Sequence, residues 1–153
     1  MTAHVRPRRD ADLAACVRIL TDVHARDSYP LNWPADPVGW LTPDGLLGVW
    51  VGELGGEVAG HAVLSPGDEP GTCQVKRLYV SPAARGHRIG ELLMIRLTAT
   101  ARESGLCPLL DVVTTNTTAV ALYERLGWIR TATVHADWTP DPAVMMHQYR
   151  GPA

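Results

Sequence analysis

Residues 78–93, L-Y-V-S-P-A-A-R-G-H-R-I-G-E-L-L, decide the fold of this chain. We predict that Leu78, Tyr79 and Val80 end a strand, which Pro82 stops because proline has no N–H for the hydrogen-bond ladder. Two glycines then bracket a tight turn. An apolar repeat with the spacing of one helical face begins directly after it, at Ile89, Leu92, Leu93 and Leu97. The stretch therefore predicts a strand, a glycine-containing turn and a helix in succession.

The turn and the start of the helix together predict a binding site for an anion. Unpaired backbone N–H groups and the positive end of the helix dipole point the same way at such a junction. Arg85 and Arg88 flank the turn, and Glu91 is the one acidic residue in positions 76–96. We interpret the turn as the seat of a pyrophosphate. Each of the two arginines either binds a phosphate there or is a solvated surface cation.

Length and composition favour one compact domain over residues 1–153. The hydrophobic fraction of 46% and the charged fraction of 20% are ordinary for a globular protein, and a chain of this length can bury a real core. The formal net charge of −2 argues against nucleic-acid binding, which needs a basic face. Cys16, Cys73 and Cys107 lack the spacing of metal ligands, so we expect reduced, buried thiols.

The N-terminal sequence M-T-A-H-V-R-P-R-R-D-A-D lacks the apolar segment of a secretion signal. No apolar run in the chain approaches the length that spans a membrane. We therefore expect a cytoplasmic protein without a membrane partner.

Turn residues and apolar periodicity divide the chain into strands and helices. Strands are predicted at residues 4–6, 47–54, 57–64, 72–80, 108–113, 128–134 and 144–149. Helices are predicted after Asp10 or Asp12 with an apolar face of Leu13, Val17 and Leu20, from Ile89 to about Ser104, and from a cap at Asn116 to a stop at Gly127. The proline-rich segment 27–43 is irregular, and residues 65–71 form a loop. This order predicts an α/β (α+β) fold with one mixed sheet and helices packed on it.

The central stretch and a second motif resemble the GCN5-related N-acetyltransferase (GNAT) family. The family's signature Gln/Arg-x-x-Gly-x-Gly/Ala stands here as Arg85-Gly86-His87-Arg88-Ile89-Gly90. Its second signature has an Asn, an Ala three residues later and a Tyr before a Gly–aromatic pair, and it stands here as N-T-T-A-V-A-L-Y-E-R-L-G-W at residues 116–128. The resemblance implies a GNAT-like single domain whose central, mostly antiparallel sheet has helices on both faces. It also implies an acetyl-CoA-dependent N-acetyltransferase.

Three positions depart from the family's pattern. Arg88 replaces the middle glycine of the first motif, although its amide N–H remains. Trp128 replaces the usual phenylalanine of the Gly–aromatic pair. Gln74 lies in the strand stretch where the family often has a glutamate that serves as the base, so we do not expect a carboxylate base on this strand.

The resemblance implies that acetyl-CoA, the acetyl donor, binds along the strand end and the turn. Backbone amides of Arg85, Gly86, His87, Arg88, Ile89 and Gly90 would hold its pyrophosphate, and Leu78, Tyr79 and Val80 would pair with the pantetheine arm. In the family an amide at this strand end also polarises the thioester carbonyl, and Val80 is our first choice for that role. Neither a metal nor an acyl-enzyme is required.

Two residues of the second motif have implied roles. Asn116 is predicted to cap its helix and to contact the cofactor. The family commonly places its general acid at the position of Tyr123, which would protonate the departing CoA thiolate. The alternative for Tyr123 is a core aromatic on the helix face.

The base that takes the proton from the amine is left open. His61 lies in a predicted strand and has a suitable ordinary pKa. Asp111 and Glu53 are weaker candidates. A relay of ordered water to bulk solvent is the remaining alternative.

The resemblance places the acceptor between the segment after the first helix and the loop that joins the last two strands. The candidate substrate-binding residues there are Tyr29, Trp33, Asp137 and Trp138. Their rings suit a small, partly apolar amine or a cation, and Asp137 could pair with an ammonium. Alternatively, the tryptophans close the open edge of the sheet.

The acceptor and the partners stay open at this point. A small-molecule amine is our first hypothesis and a protein N-terminus or lysine is the second, with acetyl-CoA or a longer acyl-CoA as donor. The rival function is a non-catalytic acyl-CoA sensor or subunit, which Gln74 supports. A P-loop is excluded because the Gly-Lys-Ser/Thr ending is missing. The last two strands offer an edge for a homodimer.

Overall fold

The computed structural model describes residues 1–152 as an alternation of strands and helices. The strands are β1 (Ala3–Pro7), β2 (Gly48–Leu54), β3 (Glu57–Pro66), β4 (Thr72–Val80), β5 (Cys107–Val113), β6 (Ile129–His135) and β7 (Met145–Arg150). The helices are α1 (Leu13–Asp27), α2 (Pro37–Trp40), α3 (Ile89–Glu103) and α4 (Thr117–Arg125), with single 3-10 turns at Asp10–Asp12 and Pro82–Ala84.

One seven-stranded sheet runs through the described part of the chain in the order β1-β2-β3-β4-β5-β7-β6. Neighbouring strands are antiparallel except β4 and β5, which are parallel. The short turns between β2 and β3 and between β3 and β4 make those neighbours antiparallel, and the helical connection α3 allows β4 and β5 to run parallel. The predicted mixed, mostly antiparallel sheet is confirmed.

Helices cover both faces of this sheet, as predicted. On one face α1 contacts β3 and β4, around a core of Cys16, Ile19, Leu20, Val23, Leu41, Val51 and Tyr79. On the other face α3 contacts β1 to β5, and its core includes Trp50, Leu64, Val75, Leu93, Leu97, Leu110, Tyr123, Trp128 and Tyr149. We call these the α1 face and the α3 face; α4 packs on the α3 face through Ala119, Val120 and Leu122.

Several predicted details are wrong. Asp12 occupies the N-cap position of α1, as predicted, but its carboxylate makes no capping bond to that helix. It accepts instead from the Arg9 N–H at 2.7 Å and from the Arg6 guanidinium at 2.8 and 2.9 Å, which stabilises a 3-10 turn before α1. Leu13 and Val17 lie at the rim of the buried stripe and are not its centre. Within the supposedly irregular segment, α2 begins at Pro37 after Asp36, whose carboxylate accepts from the Gly39 N–H. An Asp–Pro pair is a helix-start signal, so the sequence contained this element.

Other corrections concern ends of elements. β3 continues to Pro66 into the expected loop, and β5 begins at Cys107. β6 and β7 each start one residue later than predicted, since Trp128 is buried in the α3-face core rather than paired in the sheet. Cys16 and Cys73 are buried as expected, but Cys107 is half-buried; all three are free thiols. Among residues 1–152, no helix combines the length and the apolar character needed to cross a membrane.

Candidate active site

A gap between β4 and β5 defines the candidate site. The two strands pair at Thr72–Cys107, Cys73–Pro108 and Gln74–Leu109, and not beyond these positions. From there β5 continues along β7, while β4 continues along β3. The C-terminal half of β4 therefore presents a free backbone edge to the gap, which is the kind of edge that an extended ligand can pair with.

A β-bulge at Arg77 bends β4 where the gap opens. His61 pairs with Tyr79 and Val63 with Lys76, so that one residue of β3 faces two residues of β4. Arg77 has a φ of +54°, in the left-handed region that L-residues rarely adopt. A bulge of this kind bends its strand and increases its twist, which separates β4 from β5.

The backbone of Val80 points into the gap. Ser81 donates its N–H to Ala59 on β3 at 2.7 Å, and Val80 pairs with Gly60. Because inward and outward backbone groups alternate along an antiparallel ladder, the N–H of Val80 points away from β3. Leu78 and Val80 place their side chains on the α3-face core, so side chain and backbone have separate roles.

The start of α3 supplies a second set of free donors beside this edge. Gly86 (φ +84°) and Arg88 (φ +64°) both adopt left-handed backbone conformations, and α3 begins directly after them at Ile89. The first backbone bond of the helix runs from the Leu92 N–H to the Arg88 carbonyl. Within residues 1–152, the backbone N–H groups of residues 85–88 donate to no backbone carbonyl. The N–H groups in the first turn of α3 also lack a partner within the helix. A Cβ added at Gly90 would lie 3.2 Å from a methyl carbon of Leu122 on α4. The missing side chain therefore lets α3 and α4 approach each other closely at this point.

The cationic side chains of the turn are engaged with carboxylates. Arg85 forms an ion pair with Asp27 at the end of α1, and Arg88 pairs with Glu91 at 2.9 Å. The exposed His87 ring bonds the carbonyls of Ala84 and Arg85 at 3.1 Å. The free donors of the turn are therefore its backbone N–H groups.

Asn116 and Tyr123 follow β5, the strand that borders the gap opposite β4. Asn116 caps α4, since its side-chain oxygen accepts from the Ala119 N–H at 3.3 Å; the predicted cap is confirmed. The Tyr123 ring is buried and lies 5.9 Å from Tyr149 and 6.4 Å from Trp128. Burial raises the pKa of the Tyr123 phenol, and a charge on Tyr29 would raise that pKa further.

His61 is placed where it cannot act as a base. Its ring is fully buried, with Nδ1 2.9 Å from the Arg77 carbonyl and Nε2 2.9 Å from the Arg8 guanidinium. Since a guanidinium can only donate, Nε2 accepts and Nδ1–H donates to Arg77. Burial lowers the pKa of His61 to about 4. The histidine therefore holds the bulge in place, and the geometry argues against the base hypothesis.

Tyr29 lies on the α1 face beside the bulge. Its ring is 6.1 Å from Trp40 and 6.5 Å from Tyr79, and burial raises the pKa of its phenol to about 12. The Arg77 guanidinium lies 3.9 Å from the centre of the Trp40 ring and donates through Nε to the Trp40 carbonyl at 2.9 Å. The sequence analysis named Tyr29 as a candidate and assigned no role on this face to Arg77. The signal available was the Lys76–Arg77 pair inside a predicted strand.

The other three predicted acceptor residues lie farther out. Trp33 is 41% exposed and packs against His24 of α1 at 5.2 Å between ring centres. Trp138 is 47% exposed and donates its Nε1–H to the sulfur of Met146. Asp137 is close enough to Asp111 for its charge to raise the pKa of that carboxyl group. The structure thus brings Tyr29 to the bulge and leaves Trp33 and Trp138 at the surface.

Comparisons with known proteins agree with this geometry. The chain matches the model of the Acetyltransferase (GNAT) family over residues 13–128. It is 34% identical over 110 residues to IAA acetyltransferase of Azospirillum brasilense, a match that covers 70% of this chain and 71% of that protein.

Solved structures share the fold over almost the whole chain. The structure of yncA, a putative acetyltransferase from Salmonella typhimurium with its cofactor acetyl-CoA, is similar with a TM-score of 0.79 and 22% identity, over 98% of this chain and 93% of that one. A GCN5-related N-acetyltransferase from Kribbella flavida is similar with a TM-score of 0.76 and 26% identity, over 99% and 98% of the two chains. The match to the family model includes both motifs that suggested the resemblance. The chain belongs to the Acetyltransferase (GNAT) family and is an acetyl-CoA-dependent N-acetyltransferase.

Proposed function

We propose that this enzyme acetylates a primary amine of a small molecule by direct transfer, with acetyl-CoA held in the gap between β4 and β5. The observation that carries the proposal is the free edge of β4, where the Val80 N–H points away from β3 into the gap. Tyr123, a buried phenol on α4, is the group that we assign as its partner in the reaction. One group can stabilise a developing oxyanion and the other can donate a proton.

The residues present fit the donor. A pyrophosphate needs several convergent N–H donors, and the backbone amides of residues 85–91 lie free at the start of α3. A pantetheine arm needs an unpaired strand edge, and β4 has one after Gln74. Bound there, acetyl-CoA supplies an activated acetyl thioester.

Val80 and Tyr123 then assist the transfer of the acetyl group from sulfur to nitrogen. As the amine nitrogen forms its bond to the carbonyl carbon, the Val80 N–H donates a hydrogen bond to the oxygen that gains negative charge. As the carbon–sulfur bond breaks, Tyr123 gives its proton to the sulfur, which leaves as a thiol. Since burial raises the pKa of Tyr123, the phenol is protonated at neutral pH and regains its proton after each cycle.

The proton of the incoming ammonium leaves by a different route. With both ring nitrogens of His61 occupied, this histidine cannot receive it. Gln74 offers no carboxylate on β4. We therefore assign the step to water in the open gap, so that the rate rises with pH as the neutral amine becomes more abundant.

Aromatic side chains line the part of the α1 face that we assign to the acceptor. Tyr29 and Trp40 form a wall on the α1 face next to the bulge, whereas Trp33 and Trp138 lie half-exposed beyond it. A wall of this kind suits a compact amine with an apolar part.

The experiment has two parts carried out on the same protein. Thermal unfolding is measured with and without acetyl-CoA, because a ligand at a hundred times its dissociation constant adds roughly 2.7 kcal/mol to stability. CoA release is then followed against a library of small amines and of peptides with free N-termini or lysines. We expect a melting shift and release that depends on small amines; a shift with no release by any amine would instead support a binding protein.

Direct transfer has its own test. The mass of the intact protein is recorded after mixing with acetyl-CoA alone and after adding the acceptor. An unchanged mass in both samples is expected, whereas a stable acetyl adduct that disappears with the acceptor would contradict direct transfer.

A further inference from the structure

Arg77 carries a positive charge without an ion-pair partner among residues 1–152. Its side chain is half-buried, and burial lowers the pKa of its guanidinium, although an arginine keeps its charge. Among residues 1–152, no carboxylate forms an ion pair with it: the six ion pairs of the structure involve other residues. A partly buried charge without a counter-charge is costly, so an anionic ligand would be favoured beside it.

The side chain of Arg77 is fixed in a way that leaves one edge free. Nε donates to the Trp40 carbonyl at 2.9 Å, and the Trp40 ring lies 3.9 Å from the guanidinium carbon. Within residues 1–152, neither terminal nitrogen of the guanidinium donates a hydrogen bond. Those two nitrogens form the edge that binds a carboxylate bidentately.

The bulge puts this edge on the acceptor side of the sheet. Val75 and Leu78 belong to the α3 face, while Tyr79 belongs to the α1 face. Two consecutive residues between them, Lys76 and Arg77, therefore both lie on the α1 face. Val80 follows Arg77 by three residues, about 10 Å of strand at most.

The two neighbouring cations differ in their surroundings. Burial raises the pKa of the Asp111 carboxyl group, the charges of Asp137 and Asp68 add to that rise, and the nearby charge of Lys76 opposes it. Arg77 has instead the Tyr29 phenol close by, which is a neutral donor at neutral pH because its pKa is raised to about 12. The Tyr29 hydroxyl donates no hydrogen bond to another residue of the described chain and is not sealed from solvent. Both groups lie beside the same ring, since the Arg77 guanidinium is 3.9 Å and the Tyr29 ring 6.1 Å from the centre of Trp40.

We propose that Arg77, with Tyr29 beside it, binds a carboxylate of the acceptor, so that the substrates are small amines that carry a carboxylic acid. This inference rests on the proposed function and names its substrate class. The guanidinium holds the carboxylate while the amine reaches the thioester at Val80. Arg77 is a specificity residue here and takes no part in bond making.

Matched acceptors test the proposal in the unmodified enzyme. Each α- or ω-amino acid of a panel is compared with its own amide, which keeps the amine and loses the negative charge, and with an amine that carries a phosphate monoester. We expect kcat/KM for the acids to exceed that for the amides by roughly ten- to a hundredfold, the range of a hydrogen bond to a charged group. Equal or higher values for the amides or the phosphate esters would overturn the proposal, and so would an acceptor range made up of neutral amines alone.

Variants locate the effect at Arg77. Arg77→Gln should raise KM for the acids by roughly ten- to a hundredfold and so remove their advantage over the amides, and Arg77→Lys should recover part of the loss. Arg18→Gln, the same change at an exposed position of α1, should change nothing. A preference for acids that survives in Arg77→Gln would place the carboxylate elsewhere and refute the assignment.

Failure of this inference is separable from failure of the proposed function. The melting shift with acetyl-CoA is measured for every variant and is expected to be unchanged, since Arg77 lies on the α1 face. If acetyl-CoA binds and neutral amines are acetylated, the carboxylate inference alone fails. If acetyl-CoA gives no shift, the proposed donor site fails with it. Should Arg77→Gln not fold, the comparison of acids with amides in the unmodified enzyme decides.

Discussion

Tyr123 shows how one buried side chain acquires a chemical role from its surroundings. Its ring lies beside Trp128 and Tyr149 in the α3-face core, so its orientation is held by packing. The same burial raises the pKa of its phenol. A group that must donate a proton is thereby kept protonated over the whole range in which an amine can react. No loss of activity through deprotonation of Tyr123 is expected below about pH 10, its ordinary pKa.

Removal of the Tyr123 hydroxyl should slow the reaction without changing donor binding. Tyr123→Phe keeps the ring and is expected to lower kcat by roughly ten- to a thousandfold, the usual contribution of a general acid. The melting shift with acetyl-CoA should be unchanged. The matched control is Tyr149→Phe, whose hydroxyl bonds Glu124 at 2.7 Å and lies outside the proposed chemistry. Full turnover in a stable Tyr123→Phe enzyme would remove the acid role.

The turn before α3 works through its backbone, so its glycine matters for conformation. Gly86 has a φ of +84° with open space where a Cβ would lie. Gly86→Ala therefore adds no clash but strains the backbone by about 1–2 kcal/mol, and relief of that strain would turn the amides away from the pyrophosphate. We expect at least tenfold weaker binding of acetyl-CoA, measured by calorimetry.

Gly71→Ala is the control for that change. Gly71 has a φ of +80°, also with open space at the Cβ position, but lies in the turn between β3 and β4. Both variants should lose similar stability, and only Gly86→Ala should lose acetyl-CoA affinity. Equal affinities would show that the conformation of residue 86 is irrelevant to binding.

The strand, turn and helix around this site were predictable because glycine, proline and apolar spacing report local structure directly. The Asn116 cap was predictable for the same reason. The bulge at Arg77 was not, since its positive φ is imposed by pairing with β3 and by the His61 ring beneath it, both distant in sequence. The contact of Arg77 with Trp40 depends on this bulge, so the sequence analysis named Tyr29 as an acceptor candidate and did not name Arg77. Trp33 and Trp138 were named for their residue type, which does not determine exposure.

A polar network on the α1 face centres on Arg8 and the buried His61. Arg8 bonds His61, the Leu41 carbonyl at 2.8 Å and the Thr42 hydroxyl at 2.6 Å. His61 also stacks on Tyr79, with ring centres 5.3 Å apart. This network connects β1, β3 and the segment after α2, and it requires a neutral histidine.

Stability should consequently fall as the pH is lowered from neutrality. The folded pKa of His61 is about 4 against an ordinary value of 6.5, so its contribution is complete above pH 6.5 and is lost as the pH falls towards 4. The loss is on the order of 3 kcal/mol in the free energy of unfolding. Urea unfolding across this range should show the decline in the unmodified enzyme and in His87→Gln, which changes an exposed ring. In His61→Gln the decline should be absent, and an unchanged decline would show that another group causes it.

A second acid-sensitive contact joins β1 to the turn before α1. The Asp12 carboxylate accepts from Arg6 and from the Arg9 N–H, and the pKa of Asp12 falls to about 2 from an ordinary 3.8. Its contribution is therefore complete above about pH 4 and is lost as the pH falls to 2. Asp12→Asn should cost on the order of 2 kcal/mol at pH 7, and the difference from the unmodified enzyme should narrow below pH 4. A difference independent of pH would mean that the carboxylate's charge is not involved.

Acetyl-CoA is expected to bind to the backbone of β4 and of the turn before α3. Hydrogen exchange of individual backbone amides, measured by NMR with and without acetyl-CoA, tests it most directly. We predict slower exchange with the ligand at Val80 and at residues 85–91, and little change in β6. If acetyl-CoA binds while these amides exchange as before, its proposed contacts with β4 and the turn are wrong. Protection confined to another surface, such as the depression of about 420 Å³ beside Arg102, Cys107 and Arg150, would contradict those contacts as well.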